Sequence, residues 1–401
     1  MRGLAGLVLG GALLAALFVP AGTPALEASY LLSADRSLQG KSPYNDLAIP
    51  LDVIFLSLYR LLGADAAYLL RLWKAIGGIA LVLFMEASRS RLFFTKAALL
   101  RGSIAWALYL FRPWTVGIEV GEPALWLLLL LHRSPKGAFL RGALTGGVIG
   151  LYPVAALSTV WVVYRRLEEH AHRPLTLWSL GMLWSGLGFA AALKLIGWLS
   201  AYIHTYWLIA WQDVATLSLW EWIGRISLLL LLWMMGQEYF RQPYAERRRF
   251  RDRLWAGIAS FLLPGAGGLW LALLVETRGS TLLRYMGAVG FIVQGALWGK
   301  AGIERPDCTL PLASESCLWG TPPCYVQLQG PYACDWTVPY RWERLVRPPN
   351  WEMFYDRWGT PKHIIDYANF WVEARYFLPH LSVKYAPVDS SMAGGRLYQR
   401  R

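Results

Sequence analysis

Acids and cations collect on one set of connectors in this chain. Glu27, Asp35, Asp46, Asp52, Glu119, Glu122 and Asp213 supply carboxylates; Arg112, Lys194, His204, Arg71 and Lys74 supply cations near the ends of apolar runs. A carboxylate can take the proton from an attacking hydroxyl. Cations and N–H donors can stabilise a departing phosphate. Ionised groups held close to lipid are costly and usually carry a chemical task. Each residue also has a plainer role. Asp46 with Asn45 suits a turn after Pro43. Asp35 and Arg36 suit a solvated pair. Arg71, Lys74 and Lys194 suit snorkelling toward headgroups. The set is stronger than its members, because separate connectors bring acids to one face.

The elements that position these residues are apolar. Of 401 residues, 56% are hydrophobic and 16% charged; a soluble domain has about 25% charged. Long apolar stretches alternate with short basic connectors, the pattern of a multi-span membrane protein. The 22 Trp and 20 Tyr often flank the apolar runs, where an amphipathic ring suits the lipid–water boundary. A net charge of +13 does not imply nucleic acid, because the arginines are spread over connectors rather than gathered on one face.

Met1-Arg2-Gly3 precedes the apolar run from Leu4 to Val19. Thr23-Pro24-Ala25 offers a cleavage site for a signal peptide, but a retained anchor fits a chain that is membrane-embedded throughout. Basic connectors follow: Arg89 to Arg101, Arg133 to Arg141, Arg165 to Arg173 and, strongest, Arg241 to Arg253. The stretch Ser200 to Trp220 has no Lys or Arg. The positive-inside rule places the N-terminus and the basic connectors in the cytosol. Glu27 to Asp52, Arg112 to Glu122 and Ser200 to Trp220 then share the outer face.

Two apolar stretches are interrupted. Phe139 to Gly150 and Tyr152 to Tyr164 are separated by Pro153; Ala256 to Leu263 and Leu269 to Val275 are separated by Pro264-Gly265-Ala266-Gly267-Gly268. Each piece is shorter than the roughly 20 residues that a span requires. Each pair is either two half-helices, whose freed backbone groups line a cavity, or one kinked span. Half-helices give about eleven membrane segments in all, and put the tail from Ala301 outside. Cys308, Cys317, Cys324 and Cys334 all fall in that tail without metal-ligand spacing. Two disulfides in an oxidising compartment follow, with three pairings open. The expected domains are 1–299, a membrane domain with residues 21–65 as its first outer loop, and 300–401, a loop-rich aromatic tail.

An outward-facing enzyme has no cytosolic nucleotide, so a lipid-linked phosphosugar is the suitable donor. Gly40-Lys41-Ser42-Pro43-Tyr44, Arg112-Pro113-Trp114-Thr115, Ile118-Glu119-Val120-Gly121-Glu122 and Gly146 to Pro153 resemble, in that order, motifs of the GT-C membrane glycosyltransferases. The resemblance is to the GPI mannosyltransferase catalytic subunit, which uses dolichol-phosphate-mannose, and it covers roughly residues 1–165. It implies an all-α polytopic GT-C-like bundle. It also implies Glu27 as general base with Asp35 or Glu122 assisting, Arg112 or Lys194 steadying the phosphate, and Tyr44, Glu119 and His204 at the substrate. The chain departs from the pattern at four places. The family's first loop acid falls on Ala25, its arginine on Val120, its histidine on Val148 and its lysine on Gly150.

The expected partners are the bilayer, a lipid-linked sugar and a membrane protein docked on the tail; nucleic acid is not expected. No metal-site residues are expected; the donor is a polyprenyl-phosphate sugar, and a requirement for a divalent metal is left open without support from the sequence. The membrane is a bacterial plasma membrane or the endoplasmic reticulum. Two other readings remain open: a catalytically inactive accessory subunit on the same fold, and a transporter of a lipid-linked sugar.

Overall fold

The computed structural model describes residues 53–63, 66–87, 118–133, 137–203 and 239–262, the tail segments 316–319, 362–366, 381–392 and 395–401, and single positions such as Leu17, Trp106, Tyr109 and Trp371. The chain divides into two compact units, residues 1–22 with 67–303, and residues 23–66 with 304–401. The described part is mostly helical.

In the first unit, α2 (Ala66–Ala87) and α3 (Ile118–Leu131) are followed by α4 (Ala138–Leu151), a 3-10 turn (Pro153–Ala156), α5 (Leu157–Glu168), α6 (His172–Leu195) and α7 (Tyr244–Leu262). Among the described residues two helices are long and apolar enough to cross a membrane, Tyr68–Met85 within α2 and His172–Leu195, that is α6; Gly121–Leu131 and Ala138–Leu151 are apolar but shorter. Of the other segments expected among the eleven, Tyr152 to Tyr164 falls in the 3-10 turn and α5, and Ala256 to Leu263 largely in α7; the count of eleven rests on stretches outside the described residues.

Helices α2 and α3 run parallel. Gly77 lies against Pro123 near one end, and Arg133 donates to the Phe84 carbonyl near the other (2.6 Å). Gly77 is needed there, since a Cβ would fall 2.5 Å from the Pro123 Cβ. The stretch between α2 and α3 carries Trp106, whose indole donates to the Ala75 carbonyl (3.1 Å). Phe84, Leu81, Leu125, Trp126, Leu129 and Trp161 are fully buried in this core.

Helix α4 packs along α6 at backbone contact, through glycines spaced four apart. A Cβ on Gly142 would meet the Trp178 carbonyl, one on Gly146 the Met182 carbonyl and one on Gly150 the Phe189 ring. From α6, Gly181 answers at the Phe139 carbonyl. Small residues at this spacing let two helices approach until their backbones touch. The opposite face of α6 is open, with Leu183, Trp184 and Leu187 exposed.

The segment Arg241 to Arg253, read from sequence as a connector, is largely helix. Pro243 precedes the first turn of α7, Glu246 lies within it, and an acid there favours the helix start. Arg251 and Asp252 are buried, and Arg251 pairs with Glu168.

The second unit holds α1 (Val53–Leu62), ended by Gly63 at φ 60, and a four-stranded sheet. A left-handed residue after a helix is a common glycine stop. The strands are β1 (Ser316–Trp319), β2 (His363–Asp366), β3 (Tyr385–Met392) and β4 (Gly395–Arg400), in the order β1-β2-β4-β3. β1 and β2 are parallel and the other pairs antiparallel. The sheet corrects the all-α expectation. Pro387 is tolerated because β3 is an edge strand. Trp371 stacks on Tyr398 at 3.8 Å, and its backbone N–H donates to the buried Asp366 (2.7 Å). Cys317 lies on β1; its side chain and the other three cysteines lie outside the described residues, so their pairing does too.

Candidate functional site at a helical hairpin

Pro153 decides the path of the chain. It has no N–H, so the helical bond that would reach the Ile149 carbonyl is not made. The last bond of α4 runs from the Tyr152 N–H to the Val148 carbonyl (2.7 Å), and the 3-10 turn starts from the Tyr152 carbonyl to Ala155 (2.9 Å). The Tyr202 hydroxyl donates to the Gly150 carbonyl, so a group left over at the break has a partner.

The break is a hairpin rather than a kink. Thr145 in α4 contacts the Nε2 of His132 (3.0 Å), and Arg166 in α5 donates to the carbonyl of the same histidine (3.4 Å). A kinked span would separate Thr145 from Arg166 by about 30 Å at 1.5 Å per residue. The 14 residues of α4 and 12 of α5 therefore go in and come back. The tip, residues 152–155, is buried throughout. Backbone outside regular helix needs partners for its polar groups when it is buried.

His132 anchors both arms. The Trp178 indole can only donate, and it points at His132 Nε2 (2.8 Å). Nε2 is thus the bare nitrogen, and Nδ1 carries the proton to the Leu128 carbonyl (2.6 Å). The Thr145 hydroxyl spends its own proton on the Arg141 carbonyl (2.7 Å). Burial, chiefly, and the neighbouring Arg141 and Arg166 push His132 down to about 4.

At the other end of α3 the hairpin tip meets charged residues. A Cβ on Gly121 would strike Val154 (2.4 Å) and Tyr152 (3.0 Å). Glu122 is next in sequence and fully buried; its Oε1 accepts from the Trp126 indole (3.1 Å). On α2, Lys74 is buried one turn before Gly77, which touches Pro123. Trp73 stacks on Tyr152 at 5.7 Å. An acidic and a basic side chain, Glu122 and Lys74, are thus both buried on these paired apolar helices, near the broken backbone. Pro123 interrupts α3 as well, removing the helical donor to the Glu119 carbonyl.

Among the described residues, Glu122 is the one of the acids expected to act whose side chain is buried near this place, and Lys74 is buried on α2. Glu119 lies on the first turn of α3, one turn before Glu122, and its side chain is outside the described residues. Lys194 is exposed in the last turn of α6 and makes no ion pair with Glu122 among the described residues. Glu27, Asp35, Tyr44, Arg112 and His204 lie outside the described residues. Arg71, a further cation at a span end, donates to the Leu17 carbonyl (2.8 Å). No group of three metal ligands occurs among the described residues. Sequence reasoning passed over His132, although a lone histidine one residue past an apolar helix and before Arg133 was visible. Comparison with protein families, curated proteins and solved structures finds no match to this chain.

Proposed function

We propose that the chain is an integral-membrane glycosyltransferase of the GT-C kind. It moves a sugar, mannose by the resemblance, from a polyprenyl phosphate to a hydroxyl on the face opposite the basic connectors. The acceptor oxygen attacks the anomeric carbon, the bond from that carbon to the phosphate oxygen breaks, and a carboxylate receives the hydroxyl proton. Glu27 is the base, with Asp35 or Glu122 assisting. Arg112 or Lys194 holds the leaving phosphate, and Tyr44, Glu119 and His204 line the substrate. The tail is extracytoplasmic, with two disulfides among Cys308, Cys317, Cys324 and Cys334. The observation that carries the reading is Glu122, fully buried beside the hairpin tip; an acid held there at such cost calls for a task.

The test is transfer of radiolabelled mannose from a polyprenyl-phosphate donor to a lipid acceptor by the purified chain. Glu27→Gln should abolish transfer and Glu122→Gln reduce it. No transfer by the parent chain with any polyprenyl-phosphate sugar would end the proposal.

A second reading, an accessory subunit on the same fold, has its own support. The position of the family's lysine is Gly150, closed by the Phe189 ring and by Tyr202. No room is left there for a long cation. Fold alone does not carry activity. Stoichiometric co-purification with a membrane partner and no bound polyprenyl lipid would favour this reading.

A further inference from the structure

The first apolar run ends in a turn that α2 completes. Positions 10, 11, 13 and 14 are helical, and the Leu17 N–H reaches back to the Leu14 carbonyl (3.1 Å), a last turn tightened to the 3-10 type. The next donor of that series, to the Leu17 carbonyl, would be residue 20. That residue is Pro20, which has no N–H. The Arg71 guanidinium donates to the Leu17 carbonyl instead (2.8 Å), and it also lies over the Tyr68 ring at 5.1 Å. A cation at the C-terminal end of a helix meets the favourable end of its dipole. A second contact fixes the direction of packing. Ala75 on α2 is fully buried, under Leu13 and Trp106. Ala75 is one turn after Arg71, and Leu13 is one turn before Leu17. Four residues forward on α2 thus match four residues back on the N-terminal helix, over about 6 Å of each axis. The two helices are antiparallel there. Leu13 and Leu17 are half-buried and Leu14 is exposed, so one side of the N-terminal helix is turned to α2. Residues 1–22 also belong with 67–303 as one compact unit, whereas Thr23 begins the other.

We propose that the face of α2 around Arg71 and Ala75 is the permanent seat of the chain's own N-terminal helix, which is not removed at Thr23-Pro24-Ala25. A cut after Ala25 would take the whole helix away. Ala75 would lose the cover of Leu13, and the Leu17 carbonyl would leave Arg71. A leader destined for removal has no use for a seat built into the body that it leaves. Arg71 is a positioning residue in this scheme: it reads the helix end through one carbonyl, while Ala75 gives room for a leucine. The seat does not depend on the proposed transfer reaction.

The experiment uses the full chain with an affinity tag at its C-terminus, extracted from membranes in detergent. Intact mass should show residues 1–25 still present. A protease site is then placed between Gly22 and Thr23 and cut after purification, and native mass spectrometry reads whether the peptide stays with the body. It should stay. Arg71→Gln should release it about tenfold more readily, the loss of one charge-assisted contact. Should Arg71→Gln fail to fold, two changes on the helix itself leave the body intact. Leu13→Ala should release the peptide several-fold more readily, and Leu14→Ala, at an exposed position, should not. A mature chain that begins at Leu26 overturns the proposal. So does a cut peptide that departs without lowering the unfolding temperature, and so does equal retention in Leu13→Ala and Leu14→Ala.

Discussion

Gly142 of α4 and Trp178 of α6 touch backbone to backbone: a Cβ on the glycine would fall 1.9 Å from the tryptophan carbonyl oxygen. No side chain can yield there, because the obstacle is main chain. Gly142→Leu should therefore push the two helices apart at the point where Trp178 reaches His132. Overpacking of this kind costs about 1–3 kcal/mol, read as a lower unfolding temperature in detergent. Gly147→Leu is the control, since nothing lies within 4 Å of its added Cβ. Equal losses in the two variants would mean that α4 does not lie against α6 in this register.

Tyr202→Phe tests the break. The hydroxyl serves the Gly150 carbonyl, and its loss leaves a buried acceptor bare, at about 1–3 kcal/mol. The effect should be local. Hydrogen exchange should quicken at residues 150–156 and stay unchanged in α7.

Trp126→Phe tests the setting of Glu122. The indole donates to Oε1 one turn away on the same helix, and both residues are fully buried. Removing the donor while keeping an aromatic ring should destabilise the chain by about 1–3 kcal/mol. Glu122→Gln in the same background should recover part of that loss, because an amide is cheaper to bury than a carboxylate. A loss as large in Trp126→Phe with Glu122→Gln as in Trp126→Phe alone would show that the indole matters only as bulk.

The sequence disclosed some of this and hid the rest, for physical reasons. Pro153 signalled a break, but proline marks a lost hydrogen bond and not a direction, so hairpin and kink were equal until His132 tied Thr145 and Arg166 together. In the sequence the run from Phe139 to Gly150 is only an interrupted apolar piece; that Gly142, Gly146 and Gly150 form a seam follows from the contacts they make with Trp178, Met182 and Phe189, residues that read in sequence only as apolar. Charge counting assigned Arg133, Arg165, Arg166 and Arg251 to connectors. Arg165 and Arg166 pair locally with Glu169, but Arg133 pairs with Asp252 and Arg251 with Glu168 across helices far apart in sequence, which leaves no local pattern. The tail sheet was masked by short strands and by Pro387, which lowers any strand reading.

His132 gives the chain a dependence on acid whose sign follows from its site. In the unfolded chain it titrates near 6.5; in the folded protein burial holds it down to about 4. Between those values the unfolded state keeps the extra proton, so acid favours unfolding. The full contribution is present above about pH 6.5 and is lost as the pH falls toward 4, amounting to about 3 kcal/mol. Below that the slope ends, since both states are protonated. His132→Phe keeps a flat ring between Leu128 and Trp178 and should be less stable at neutral pH, because the Trp178 indole loses its acceptor. Its stability should nevertheless vary less between pH 4 and 6.5 than that of the parent chain. Unfolding temperatures measured across that range decide it: parallel curves for parent and variant would mean that His132 is not neutral in the folded protein.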